Sequence, residues 1–129
     1  MCDSRTHVGT VHHVSFRVDD LDQALRFYQE VLGCRRLDRP DGLPGGRGAW
    51  LQAGMTQVHL TEVPVDKSTG SPPSRINPVA CHVAFHTDDL DAAEASLLER
   101  GFVVYRGEFG VKQIFVQDPS GNIIEFTPY

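Results

Sequence analysis

The chain is short of cysteine, of clustered basic residues and of long apolar runs, and each shortage removes a class of function. Three cysteines, Cys2, Cys34 and Cys81, are scattered over 129 residues with no CxxC spacing. An odd number so spaced makes neither a disulfide framework nor a thiolate zinc site. Cys34 and Cys81 read instead as small buried hydrophobes. Twelve Lys and Arg stand against seventeen Asp and Glu, a formal net charge of -5, and the cations form no run. A nucleic-acid partner would want a basic face, so none is expected. No apolar stretch approaches the length of about 20 residues that spans a bilayer, and none near the N-terminus resembles a signal peptide. No membrane partner is expected, and the expected location is the cytoplasm.

What the chain does have is one stretch used twice. His13-Val14-Ser15-Phe16-Arg17-Val18-Asp19-Asp20-Leu21-Asp22-Gln23-Ala24 returns as His82-Val83-Ala84-Phe85-His86-Thr87-Asp88-Asp89-Leu90-Asp91-Ala92-Ala93. A repeat fixes the architecture before any local reading. Val14, Phe16 and Val18 alternate with His13, Ser15 and Arg17, as on a strand with one covered face. Asp19 or Asp20 then suits a helix N-cap, Leu21, Ala24, Leu25, Tyr28, Val31 and Leu32 follow helical spacing, and Gly33 ends the helix. Short strands follow at 35–39, 48–53 and 57–63. Residues 64–78 hold four prolines and read as a linker. The second half repeats the plan: a strand at 79–87, a helix capped by Asp88 or Asp89 and stopped by Gly101, then strands at 102–106, 111–117 and 123–127. The expected fold is therefore α+β, one domain over 1–129. Module one covers about 10–63 and module two about 79–129, each βαβββ. Halves of about 60 residues do not readily stand alone, so the two should share one core or one continuous sheet.

Alternation also sorts the polar residues. His13 and His82 open the first strand of each half, on the face the helix leaves uncovered. His59 is out of phase with Val58 and Leu60, and Glu125 is out of phase with Ile124 and Phe126. Three imidazoles and a carboxylate at repeat-equivalent places, His13, His59, His82 and Glu125, make a candidate site for a divalent transition metal. Gln113 and Phe115 share the open face, and His86 lies two residues beyond His82. In the third strand either Trp50 or Leu51 faces inward; periodicity does not choose. An aromatic there would suit a moderately apolar ligand, and Arg17 could meet an anion. Arg17, Trp50, His86, Gln113 and Phe115 are thus the expected substrate contacts. The two Asp-rich segments have the wrong spacing for calcium loops, and helix capping accounts for them.

These motifs resemble the vicinal oxygen chelate superfamily, the glyoxalase/bleomycin-resistance/dioxygenase group. The matching stretches are His13-Val-Ser-Phe through Asp20-Leu21, Phe27-Tyr28 with Leu32-Gly33, Val58-His59-Leu60, His82-Val-Ala-Phe through Asp89-Leu90, and Phe115-Val-Gln-Asp118-Pro-Ser-Gly121-Asn122-Ile-Ile-Glu125. The resemblance implies paired βαβββ modules curling into a metal-containing cup, with helices on the outer face. It implies a homodimer in which a metal is often shared between chains, with His13 and His59 as ligands from module one and His82 and Glu125 from module two. The glyoxalase-I-like branch is nearest in size and ligand count. His59 departs from it, standing where such enzymes usually carry Glu, and this leaves Glu125 as the acid-base group among the four.

The expected function is a metal-dependent lyase or isomerase acting on a small vicinally oxygenated substrate through metal-stabilised enediolate chemistry. One divalent ion per site is expected: zinc, nickel, iron, manganese or cobalt, since imidazole and carboxylate suit all of them. The alternatives are a ring-cleaving dioxygenase, a thiol transferase, and a protein that sequesters a drug or metabolite without turnover.

Overall fold

A computed structural model describes residues 4–63 and 70–129. Part of the expected linker, 64–69, lies outside the described residues.

Strand β1 (His13–Val18) directs Val14, Phe16 and Val18 into the core and leaves His13 and Ser15 exposed. Of the two candidate caps it is Asp20 that acts, its Oδ1 accepting the Gln23 N–H at 3.0 Å. Helix α1 (Leu21–Leu25) runs on as a π-helical segment, Arg26–Val31. Adjacent residues Phe27 and Tyr28 are both fully packed there; each such burial is worth about 1.5–3 kcal/mol. Gly33, at φ +75°, reverses the chain in the left-handed region, while Cys34 N–H reaches back to Tyr28 O at 2.8 Å. Strands β2 (Arg35–Leu37), β3 (Gly48–Ala53) and β4 (Thr56–Glu62) complete the first sheet, in the order β1-β4-β3-β2. β1 lies parallel to β4, and the other pairings are antiparallel.

Module two repeats this plan with β5 (Val83–His86), α2 (Leu90–Glu99), β6 (Tyr105–Arg106), β7 (Ile114–Gln117) and β8 (Ile123–Thr127), ordered β5-β8-β7-β6. Asp89 caps α2 through the Ala92 N–H at 2.9 Å. The α+β fold of two βαβββ modules stands as expected. Each sheet has four strands and neither continues into the other; the modules share a core instead. Phe27, Leu60, Leu97, Ile114, Ile124 and Phe126 belong to one apolar cluster, and Phe27 meets Phe102 edge-on with ring centroids 5.4 Å apart.

Several expected strands are shorter, for local reasons. β5 begins at Val83, not Val79, because Asn77-Pro78 makes a turn: Asn77 Oδ1 accepts the Val79 N–H and its carbonyl accepts the Ala80 N–H, both at 3.0 Å. Cys81, expected to be buried, is therefore exposed, whereas Cys34 is partly buried. β7 begins at Ile114 because Val111 N–H bonds to Glu108 O at 3.1 Å in a turn of its own.

The modules are also joined through polar groups. Tyr28 OH donates to Asp118 Oδ2 at 2.7 Å. Asp118 further accepts from Ser120 N–H, Asn122 N–H and the Asn122 side-chain amide, each at 2.9 Å. The same amide donates to Arg17 O at 2.9 Å, and Asp19 N–H donates to Ser120 Oγ at 2.8 Å. Burial pushes the Asp118 carboxyl up against the pull of these donors, and burial beside Asp118 holds the Tyr28 phenol well above its usual range. Pro73, in the described part of the linker, accepts from Gln117 Nε2 at 2.8 Å. Among the described residues no helix is long and apolar enough to cross a membrane.

Candidate metal centre

In module two, β8 sends Ile124 and Phe126 into the core, so Glu125 must point to the other face. It lies opposite Ala84 on β5 and Phe115 on β7, and it is 8 % exposed. Gln113 Nε2 donates to its Oε1. His82 stands one residue before β5 and packs edge-on against Phe115. Its Nδ1 is 2.7 Å from Ala80 O. A carbonyl can only accept, so Nδ1 carries a proton and Nε2 is the ring atom left for another partner. That atom is 3.5 Å from Glu125 Oε2. A backbone carbonyl fixing the far nitrogen is how ligating histidines are usually oriented.

In module one, His13, His59 and Trp50 form a near-parallel ring group. His13 stacks on His59 with centroids 4.0 Å apart, and Trp50 stacks on His59 at 4.7 Å. Trp50 is the register partner of His59. This decides between Trp50 and Leu51: Trp50 takes the open face, and Leu51 is buried in the core. His59 Nε2 sits 2.8 Å from Gln57 Oε1. His13 Nδ1 lies 2.8 Å from His12 Nδ1, a contact that requires one of the two rings to hold a proton there. Burial, with the neighbouring His13, His12 and Arg39, lowers the His59 pKa from 6.5. The ring is therefore neutral at pH 7, the state a metal requires. In metal-free protein the His59 ring proton, followed by NMR, should titrate below pH 6.5; a midpoint above that value would contradict this environment.

The structure thus brings His13 to His59 and His82 to Glu125. Among the described residues no group of three or more His, Cys, Asp or Glu is placed to hold an ion. The expected set of four stands in one chain as two separate pairs, not as one centre. Gln113 and Phe115 lie on the Glu125 face as the alternation required. Arg17 does not stand ready for an anion, because its guanidinium pairs with Asp19 and its Nε is buried without a partner. It lines a cavity of about 420 Å³ with Ser74, Gln117 and Ser120. His86 is exposed, 3.8 Å from Asp88 Oδ1. It lines a cavity of about 700 Å³, whose walls include Val14, Leu32, Val83, Phe85 and Leu97. None of the four candidate ligands lines that cavity, so it is separate from the half-sites.

One cation near His59 is absent from the sequence reading. Arg39 follows β2 in an irregular segment, and only coordinates show that its guanidinium lies against Gly48 of β3. The glycine itself is no hint of this, because a β-carbon there would first meet Leu60 O, at 2.5 Å. The donor set itself suits a divalent transition ion, with three imidazoles, one carboxylate, a fixed tautomer at His82 and a neutral ring at His59.

Comparison with known proteins shows the family of the fold. The chain is 32 % identical over 124 residues to Glyoxylase I 4 of Arabidopsis thaliana, covering 92 % of this chain and 70 % of that one. It is 29 % identical over 126 residues to Metallothiol transferase FosB of Shouchella clausii, covering 92 % and 79 %. The solved structure of TnmS3, an antibiotic binding protein from Streptomyces sp. CB03234, superposes with a TM-score of 0.71 at 27 % identity, covering 95 % of this chain and 98 % of that one. A family model matches residues 10–126, nearly the whole of both modules, and the chain belongs to the Glyoxalase/Bleomycin resistance protein/Dioxygenase superfamily.

Proposed function

We propose that this protein is a divalent-metal-dependent lyase or isomerase acting on a small substrate with oxygens on neighbouring carbons, and that it works as a homodimer with two shared centres. The observation that carries this reading is the His82–Glu125 pair, with its tautomer set by Ala80 and its carboxylate steadied by Gln113. His13 and His59 stand at the equivalent places of module one. Two ligands per half-site do not complete a coordination sphere. A second copy would supply the missing pair, so His13 and His59 of one chain would meet His82 and Glu125 of the other.

When bound, the ion would supply positive charge to the two substrate oxygens while a proton moves between their carbons. The chain supplies the rest. Glu125 Oε2 is the group that takes and returns the proton, because Oε1 is occupied by Gln113. His82 cannot turn away without losing its bond to Ala80. Trp50 and Phe115 are the apolar walls against which the carbon skeleton lies. The relationship to Glyoxylase I 4 supports this chemistry; the likeness to an antibiotic binding protein favours a second reading, capture without turnover on the same aromatic wall.

Metal analysis of the dialysed protein separates the two readings. A catalyst should retain about one ion per chain and convert methylglyoxal–thiol adducts but not catechols. A protein free of metal after dialysis, inert toward both, would favour capture.

A further inference from the structure

We infer that Arg39 is the specificity-determining cation of the module-one half-site and that the substrate carries a carboxylate or a like anionic group, bound beside Trp50. This rests on the site proposed above. Two observations support it. First, position. Gly48 and Trp50 are two residues apart on β3, so they share a face, while Ala49 and Leu51 turn into the core. A β-carbon built on Gly48 would meet Arg39 Cζ and Nε at 3.1 Å. The guanidinium therefore lies against the bare backbone of Gly48, where such a carbon would also meet Leu60 O at 2.5 Å, two residues along the strand from Trp50.

Second, its charge is uncompensated. Arg17 is paired with Asp19, Arg47 with Asp22 and Glu62, and Arg106 with Asp91 and Glu94. Arg39 makes one hydrogen bond, from Nη2 to Gly46 O at 3.2 Å. Among the described residues it is the half-buried Lys or Arg side chain without a carboxylate partner. A guanidinium has five N–H donors, and one is used. Leaving a partly desolvated charge unpaired is unfavourable unless something else is to sit against it. A planar fork of donors beside an indole is suited to a carboxylate, which it can hold by two parallel bonds.

The protein's single tryptophan gives a direct readout. Lactate, added to the whole metal-loaded protein, should change Trp50 fluorescence saturably, and the neutral lactamide should do so far more weakly. Arg39→Gln should weaken lactate binding by roughly 10- to 30-fold and leave lactamide unchanged; Arg39→Lys should recover part of the loss. Arg36→Gln, which removes the same charge from the neighbouring strand position facing Leu51, should have little effect. Circular dichroism of each variant confirms folding. Equal lactate binding by wild type and Arg39→Gln would overturn the inference, as would an equal loss from Arg36→Gln. Metal content is read separately: a metal-poor protein that still binds lactate through Arg39 sinks the metal reading and leaves this one standing.

Discussion

Purified separately, Glu125→Gln and His13→Ala should each be inactive and poor in metal; refolded together, they should regain activity. Each substitution breaks one half-site. Glu125→Gln keeps the shape and removes the charge, and His13→Ala removes a nitrogen donor. Loss of a partner that merely orients a ligand lowers metal affinity about 10- to 100-fold, so losing a ligand should cost at least that. A dimer of one chain of each kind has one centre broken on both sides and one intact on both sides. Random mixing makes half the dimers mixed, so about a quarter of the wild-type centres should return. Activity and bound metal should rise together in the mixture. A mixture that forms mixed dimers by mass spectrometry yet stays inactive would falsify the shared centre.

Asp118→Ala should be the most damaging change away from the half-sites. Asp118 is 4 % exposed and accepts from Tyr28 OH, two backbone N–H groups and the Asn122 amide. Alanine leaves the buried Tyr28 hydroxyl and two partly buried backbone N–H groups without their acceptor, while the Asn122 amide keeps its bond to Arg17 O. The loss is expected at about 3–5 kcal/mol, a fall in Tm of roughly 10 °C or more for a chain of this size. Tyr28→Phe removes one donor and leaves the rest satisfied, so it should cost about 1 kcal/mol. Urea melts of the two single variants and the double variant measure the coupling, which should be positive because the groups touch. An Asp118→Ala protein within about half a kcal/mol of wild type, the size of an ordinary surface substitution, would mean the two modules do not rely on this junction.

The two modules were legible because a repeated motif carries its own register: once His13 and His82 were aligned, the strands, caps and helix-stopping glycines fell into place. Alternation separated His59 from Val58 and Leu60, and Glu125 from Ile124 and Phe126. It could not place Trp50, because Ala49, Trp50 and Leu51 are consecutively apolar and have no phase; pairing with His59 decided it. The Tyr28–Asp118 contact was hidden for another reason. Tyr28 reads as one more apolar position on a helix and Asp118 as a turn residue, and the contact between them is made only when the modules pack. Arg39 was hidden likewise, since its place depends on how the 38–47 loop folds back over Gly48. Val79 to Cys81 misled because their β-branched and small side chains suit a strand, while Asn77-Pro78 bends the backbone.

The parallel pairings have a consequence for synthesis. His13 cannot find its neighbour Gln57 until the whole of module one has left the ribosome, and Val83 waits likewise for Ile124. Module one can close its sheet while module two is still being made, yet throughout that interval the Tyr28 hydroxyl has no Asp118 to meet. The nascent chain therefore carries its unmet phenol until the turn that holds Asp118 has been made and has folded back onto module one.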